Sequence, residues 1–221
     1  MFSKVLIADD LVSVNTGVHT VLSQLEIPEI EQVNYCDDAF LQIKAAQKYA
    51  TPFELLITDL SFKADHRDQK IKSGDALATK LKAAHPDLKI IVYSIEDKPQ
   101  LVRHLIQRHG IDGYVCKGRH GLTELTDAVQ AVYSNKTYVS PQLETALSGK
   151  SVLEIDDYDI ELLSQLANGL VMEEIARRFK EEERKPFSSS AIEKRMGTLR
   201  TQFDAKNSTQ LIAKAKDLGL I

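Results

Sequence analysis

PFELLITDL, residues Pro52–Leu60, is the stretch on which the fold turns. Phe53, Leu55, Leu56 and Ile57 form the short apolar run that a strand buried on both faces requires. The run ends in Thr58-Asp59, which sets a carboxylate at the carboxyl edge of a parallel sheet. That edge is where open α/β sheets keep their chemistry. Taken alone, Asp59 reads equally well as the cap of a following turn. Its company elsewhere in the chain decides between the two.

Upstream, Lys4–Ala8 (KVLIA) is a second apolar strand, closed by Asp9-Asp10. Val14, Val18, Val21, Leu22 and Leu25 then recur at helical spacing until Pro28 stops them. Ile30–Tyr35 alternates as a strand, and Asp37 or Asp38 caps a helix carrying Phe40, Leu41, Ile43 and Tyr49. Downstream, Ser61–Ser73 (SFKADHRDQKIKS) is a polar, lysine-rich loop of unusual length for an α/β unit. A helix is expected over Asp75–Ala84, a strand over Leu88–Tyr93 ending in Ser94, and a helix over Pro99–His109 stopped by Gly110. Asp112–Cys116 is a short strand ending at Lys117, followed by a helix over Leu122–Ser134.

Five strand–helix pairs in succession predict an α/β domain over residues 1–134, with a five-stranded parallel sheet in the flavodoxin-like order. Residues 135–155 hold Pro141, Gly149 and one short helical stretch, Pro141–Leu147, and are expected to be a linker. From residue 156 the strand signal vanishes. Asp156–Ala167, Val171–Phe179, Ser188–Phe203 and Thr209–Leu218 predict a small all-α domain of four helices over residues 156–221.

The 221 residues, 43% hydrophobic and 27% charged, have the balance of an ordinary globular protein of one or two domains. No apolar run approaches the roughly 20 residues of a membrane span, and Met1-Phe2-Ser3-Lys4 runs directly into a strand without a secretory pattern. A cytoplasmic protein with no membrane partner is expected. Cys36 and Cys116 make neither a disulfide framework nor a zinc spacing. A net charge of −4 gives no global attraction to nucleic acid, so any such binding must come from a local patch.

Strands one and three are neighbours in the flavodoxin-like order, so Asp9, Asp10 and Asp59 are expected to converge at one edge. Carboxylates about 4 Å apart repel by roughly 4 kcal/mol per pair at an effective dielectric of 20. Such a cluster needs a cation, protonation or a nearby lysine. Mg²⁺, which takes a few carboxylates and keeps several waters, suits it. Lys117 supplies a fixed positive charge and Ser94 a hydroxyl from the neighbouring strand ends.

The set IADD, LLITDL, IIVYS and GYVCKG resembles the receiver domain of two-component response regulators. The resemblance implies that Asp59 is the phosphoacceptor, that Asp9, Asp10 and Asp59 hold Mg²⁺, and that Ser61 lends a backbone carbonyl to the ion. It also implies that Ser94 bonds a phosphoryl oxygen and Lys117 pairs with the phosphate. Tyr114 matches the aromatic that turns inward when Ser94 is drawn to the phosphate. The sequence departs from the family in one place. The glycine expected shortly after the acceptor is Gly74, fifteen residues past Asp59.

In the helical half, ANGLVMEEIA, Ser188–Glu193 and AKNSTQLIAKA resemble the LuxR-type helix-turn-helix (NarL/FixJ-like) found behind receivers. Ile192, Met196, Leu199 and Phe203 form the buried stripe of its second helix. The opposite side carries Lys194, Arg195 and Arg200, with Ser188, Ser189 and Ser190 at the N-terminus, where hydroxyls, backbone N–H groups and the helix dipole suit a phosphate. Glu193 is placed to accept from a cytosine amino group. Arg184, Lys185, Lys194, Arg195, Arg200 and Lys206 oppose Glu193 and Asp204, a local +4 on an acidic chain. Here the departure is a turn lengthened by about six residues, Glu181–Pro186.

The expectation is therefore a response regulator, phosphorylated at Asp59 by a sensor histidine kinase and binding promoter DNA as a homodimer. It is not an enzyme beyond its own Mg²⁺-dependent phosphotransfer and dephosphorylation. Two rivals are a signalling adaptor whose helical domain binds protein instead of DNA, and an aspartate-dependent phosphohydrolase acting on small substrates.

Overall fold

The structure, a computed structural model, describes residues 1–63, 66–147 and 155–221. The chain divides into two compact units, Met1–Leu147 and Ser148–Ile221.

In the first unit β1 (Lys4–Ala8), α1 (Val12–Gln24), β2 (Glu29–Val33), α2 (Cys36–Lys48), β3 (Leu55–Thr58) and α3 (Gly74–Ala84) alternate. They are followed by β4 (Lys89–Ser94), α4 (Pro99–His109), β5 (Gly113–Cys116), α5 (Gly121–Tyr133), β6 (Tyr138–Val139) and α6 (Pro141–Leu147). The strands pair in parallel in the order β2-β1-β3-β4-β5-β6. Successive side chains point to opposite faces, which is why the inner strands β1 and β3 need apolar residues at nearly every position, whereas the edge strand β2 (EIEQV) is largely exposed. Leu6 and Ala8 of β1 and Leu56 of β3 face a core completed by α2, α3 and α4 through Ile43, Leu77, Leu81 and Leu105. Val5, Ile7, Leu55 and Ile57 face the other core, closed by α1 and α5 through Val18, Leu22, Leu125 and Val129. The strand order reverses between β1 and β3, and their carboxyl ends open there.

The sheet is the expected one with a sixth strand added. Residues 135–147, read above as linker, belong to the first unit. Tyr138 N–H donates to the Asp112 carbonyl at 3.1 Å, Ser140 N–H donates to the Tyr114 carbonyl at 2.9 Å, and Leu143 is buried in the core. A two-residue strand carries no periodicity, and it forms because β5 offers an edge to it. The rest of the expected linker, 148–154, lies outside the described residues, as does Asp65 in the β3–α3 loop.

That loop, Ser61–Ser73, is pinned at its base. Ser61 and Ser73 form an antiparallel bridge, and Gly74 N–H donates to the Leu60 carbonyl at 2.9 Å. The excursion therefore returns α3 to the place a short loop would have left it.

The second unit packs α7 (Asp157–Ala167), α8 (Met172–Glu181), α9 (Ser189–Gln202) and α10 (Ser208–Asp217) around Leu162, Leu163, Ile175, Phe179, Ile192, Met196, Leu199 and Leu211. Side chains at the helix starts satisfy the free N–H groups there. Asp156 and Asp159 form a reciprocal capping box at α7, Ser188 accepts from Ala191 N–H at 3.3 Å, and Asn207 accepts from Gln210 N–H at 2.8 Å. Gly169, at φ +86°, makes the left-handed turn between α7 and α8.

Candidate functional site

Ala8 and Thr58 are register partners, so the residues that follow them, Asp9 and Asp59, leave the sheet side by side. Both are buried, at 2% and 5% exposure. Ser94 pairs with Cys116, and Lys117 N–H donates to the Ser94 carbonyl at 2.7 Å, which places Lys117 at the tip of β5. The Lys117 ammonium donates to Asp9 Oδ2 at 2.7 Å and to Asp59 Oδ2 at 2.6 Å. The remaining oxygens are also held: Asp9 Oδ1 accepts from Leu11 N–H at 2.8 Å and Asp59 Oδ1 from Leu60 N–H at 2.6 Å. Burial pushes the Asp9 carboxyl above its ordinary range, against the opposing pull of Lys117 and the Leu11 N–H.

Asp10 stands apart from this pair. It is half-buried, and its Oδ2 accepts the Lys63 N–H of the β3–α3 loop at 2.9 Å. Among the described residues no three His, Cys, Asp or Glu side chains close into a metal cluster. The three-carboxylate convergence expected from sequence is thus a two-carboxylate pair, with the third drawn off by a backbone donor the sequence does not advertise. The donor set still fits Mg²⁺, which is commonly held by one or two carboxylates and water. All the groups are hard oxygens, and three carboxylates against one ammonium leave the edge at a formal −2. Ser61 is exposed and occupies the β-bridge to Ser73.

Ser94 is fully buried, its hydroxyl 3.5 Å from the Glu96 N–H. Tyr114 is also fully buried and donates its hydroxyl to the Glu96 carbonyl at 2.7 Å. Burial pushes its phenol upward, so it stays a neutral donor. The two side chains therefore meet the same β4–α4 turn.

Two supports were not foreseen: a residue the sequence reading passed over, and the packing of a glycine it named only for its place in the family pattern. Asn15, 2% exposed on α1, donates from Nδ2 to the Asp9 carbonyl at 2.9 Å and braces the turn that carries the acids. An asparagine set beside the valines of an otherwise apolar helical stripe is the signal that could have found it. Gly74 is the other. A Cβ at that position would lie 1.7 Å from the Asp59 carbonyl oxygen, so α3 touches the backbone of Asp59 itself.

In the second unit Ser188, Ser189, Ser190, Glu193 and Lys194 are exposed at the start of α9. Arg200 lines an open groove of about 440 Å³ with Lys206. Arg195 does not join them. Its Nε donates to Asp159 Oδ1 at 2.6 Å and its Nη2 donates to Oδ2, and the Asp159 side chain is fully buried. Position 195 lies three past Ile192 and four before Leu199, so helical spacing puts it on the flank of the buried stripe. The lengthened turn is held by Tyr158, whose hydroxyl donates to the Pro186 carbonyl at 2.6 Å.

A doubly wound parallel sheet with an Asp-Asp-Lys constellation at its switch point, followed by a four-helix unit, is similar to two-component response regulators with a receiver and a LuxR-type helix-turn-helix. Known proteins agree. The chain is 28% identical over 165 residues to response regulator GacA of Pseudomonas syringae pv. syringae, spanning 73% of this chain and 70% of that protein. It is 26% identical over 226 residues to oxygen regulatory protein NreC of Staphylococcus haemolyticus, spanning 96% of each. The fold matches a structure of the response regulator RcsB in complex with DNA at a TM-score of 0.63, with 23% identity over 97% of this chain and 98% of that one. No protein-family model matches the chain. Among the described residues no helix is long and apolar enough to cross a membrane.

Proposed function

We propose that this chain is a cytoplasmic transcriptional response regulator, phosphorylated on Asp59 by a sensor histidine kinase and binding promoter DNA as a homodimer through α9. The observation that carries the proposal is the Lys117 ammonium bridging Asp9 and Asp59 at the switch point of the sheet.

A carboxylate is a weak nucleophile toward a phosphoryl group that is itself anionic, so the site must offset charge before it can catalyse. Asp9 and Asp59 would hold Mg²⁺, with Asp10 and the Ser61 carbonyl beside them; when bound, the ion neutralises developing charge on the phosphoryl oxygens. An Asp59 oxygen displaces the imidazole of a phosphohistidine: the new O–P bond forms as the P–N bond breaks, and the imidazole nitrogen takes up a proton. Lys117, already within hydrogen-bond reach of Asp59, follows the charge onto the phosphoryl group. The Ser94 hydroxyl bonds a phosphoryl oxygen, and the Tyr114 ring fills the buried slot behind it. Such a local charge event biases a two-state surface. Water attack on phosphorus ends the signal, so the only turnover is of the protein's own acyl phosphate.

Incubation with acetyl phosphate and Mg²⁺ tests the assignment. Acid-labile label is expected on the wild type and none on Asp59→Asn; label retained by the variant removes Asp59 from the role. On α9, the exposed serines, Lys194 and Arg200 suit phosphates, and Glu193 a base edge. The withdrawal of Arg195 into an ion pair favours the second reading, an adaptor whose helical unit binds protein. Salt dependence separates the two: DNA affinity that falls steeply with salt, with a slope reduced by about 1 in Lys194→Ala, excludes the adaptor.

A further inference from the structure

Of the thirteen residues between Leu60 and Gly74, the acidic edge uses one backbone donor, the Lys63 N–H. The described remainder is nonetheless tied down as a strap across α2. Asp37, in the first turn of α2, accepts the N–H groups of Lys70 and Ile71 at 2.8 and 2.9 Å. Arg67 closes on Asp38 through two nitrogens and lies over the Tyr35 ring, 4.5 Å from its centroid. Ile71 is buried in the core at 4% exposure. Ordering a loop costs backbone entropy at every residue, so a strap held this way is a built feature and not slack.

Between the strap, α2 and α3 lies a cleft of about 360 Å³, within the range of small-molecule sites. Phe40, Leu41 and Ile71 supply its apolar wall. Leu41 is 60% exposed, large for a leucine on a helix. The charges divide into those already used and those left over. Both Asp37 oxygens take backbone N–H groups, and Arg67 is matched by Asp38. Lys70 and Lys80 remain on the rim against Asp68, and neither lysine has a carboxylate partner among the described residues.

We propose that this cleft binds a small amphipathic anion, one compact ring system or branched hydrocarbon bearing a single carboxylate. The three apolar side chains take the hydrocarbon and the two lysine ammoniums take the carboxylate. Asp68 on the same rim opposes a polyanion, which turns the site away from nucleotides and nucleic acid.

The test is a titration of the full chain with 1-naphthoate and its neutral counterpart 1-naphthalenemethanol, read by naphthyl fluorescence. The chain has no tryptophan to interfere. Saturable binding is expected, with the carboxylate roughly threefold to tenfold tighter than the alcohol, the range that one or two exposed ion pairs provide. The double variant Lys70→Ala, Lys80→Ala should erase that preference, and Leu41→Glu should abolish naphthoate binding by placing a like charge in the cleft. All three positions are exposed, and unchanged melting temperatures verify that the variants fold. Absence of saturable binding, equal affinity for acid and alcohol, or wild-type behaviour of the variants overturns the proposal. Asp59→Asn should bind as the wild type does, so the result stands apart from the phosphotransfer reading.

Discussion

Gly74→Ala is the substitution that examines the site most directly, because it adds one methyl group and removes no functional atom. The added Cβ would lie 1.7 Å from the Asp59 carbonyl oxygen, 2.8 Å from its carbonyl carbon and 3.1 Å from Leu60 Cα. All three are backbone atoms, so no rotamer change relieves the contact. Reaching even 3.0 Å from that oxygen requires the start of α3 and the Asp59 peptide to separate by more than about 1 Å, which also stretches the Gly74 N–H bond to the Leu60 carbonyl. Overpacking of this kind costs about 1–3 kcal/mol. For a unit of this size each kcal/mol lowers the melting temperature by about 2–4 °C. The larger effect should fall on the chemistry, since a displacement of about 1 Å at a reacting group can cost on the order of 10²-fold in rate. Phosphorylation by acetyl phosphate and thermal melting by circular dichroism are measured on the same preparation. Gly118→Ala, one residue past Lys117 and with nothing within 4 Å of its added Cβ, is the control and should match the wild type in both. A Gly74→Ala protein that is labelled at the wild-type rate and melts normally would refute the claim that α3 sets the position of Asp59.

Lys117→Ala should leave two buried carboxylates within roughly 5 Å of each other, a repulsion of about 3 kcal/mol at an effective dielectric of 20. Its melting temperature should drop at neutral pH and recover on acidification, and a deficit that ignores pH would count against the bridge. Asp9 has its own pH signature. Because burial raises its folded pKa, its contribution to stability is complete below the unfolded pKa and is lost as pH rises through the folded one. Mg²⁺ binds the carboxylate form, so excess Mg²⁺ should flatten or reverse that fall in the wild type and leave Asp9→Asn unaffected; identical pH slopes with and without the ion contradict this. Arg195→Ala strands a fully buried carboxylate and should destabilise the helical unit by about 3–5 kcal/mol, whereas exposed Lys194→Ala should stay within about 0.5 kcal/mol and lose DNA affinity instead. Reversed effects in the melts and DNA titrations would exchange their roles.

The strands, the helices and the strand-end residues were legible because each rests on a local signal. An apolar run such as LLIT can be buried on both faces only in a parallel sheet, and a carboxylate at its end can only sit at the sheet's edge. Parallel order then brings Asp9, Asp59 and Lys117 to one place. The inward turn of Arg195 was missed: it was set on the exposed side with Lys194 and Arg200, because its partner Asp159 lies on another helix and the spacing from Ile192 and Leu199 places it only on the flank of the buried stripe. β6 was not legible either, since two residues carry no period and their pairing exists only because β5 presents an open edge.

Sequence by itself determined which residues are buried, which are charged at the strand ends, and therefore the fold class and the sheet edge at which Asp9, Asp59 and Lys117 meet. Tertiary structure alone decided that Asp10 turns to Lys63, that Asn15 braces Asp9, that Gly74 touches Asp59 across fourteen intervening residues, and that the loop among them walls a cleft against α2. Burial and periodicity are properties of a segment and can be read along it. A hydrogen bond between distant segments depends on where two loops come to rest, which is fixed only when the whole core has packed.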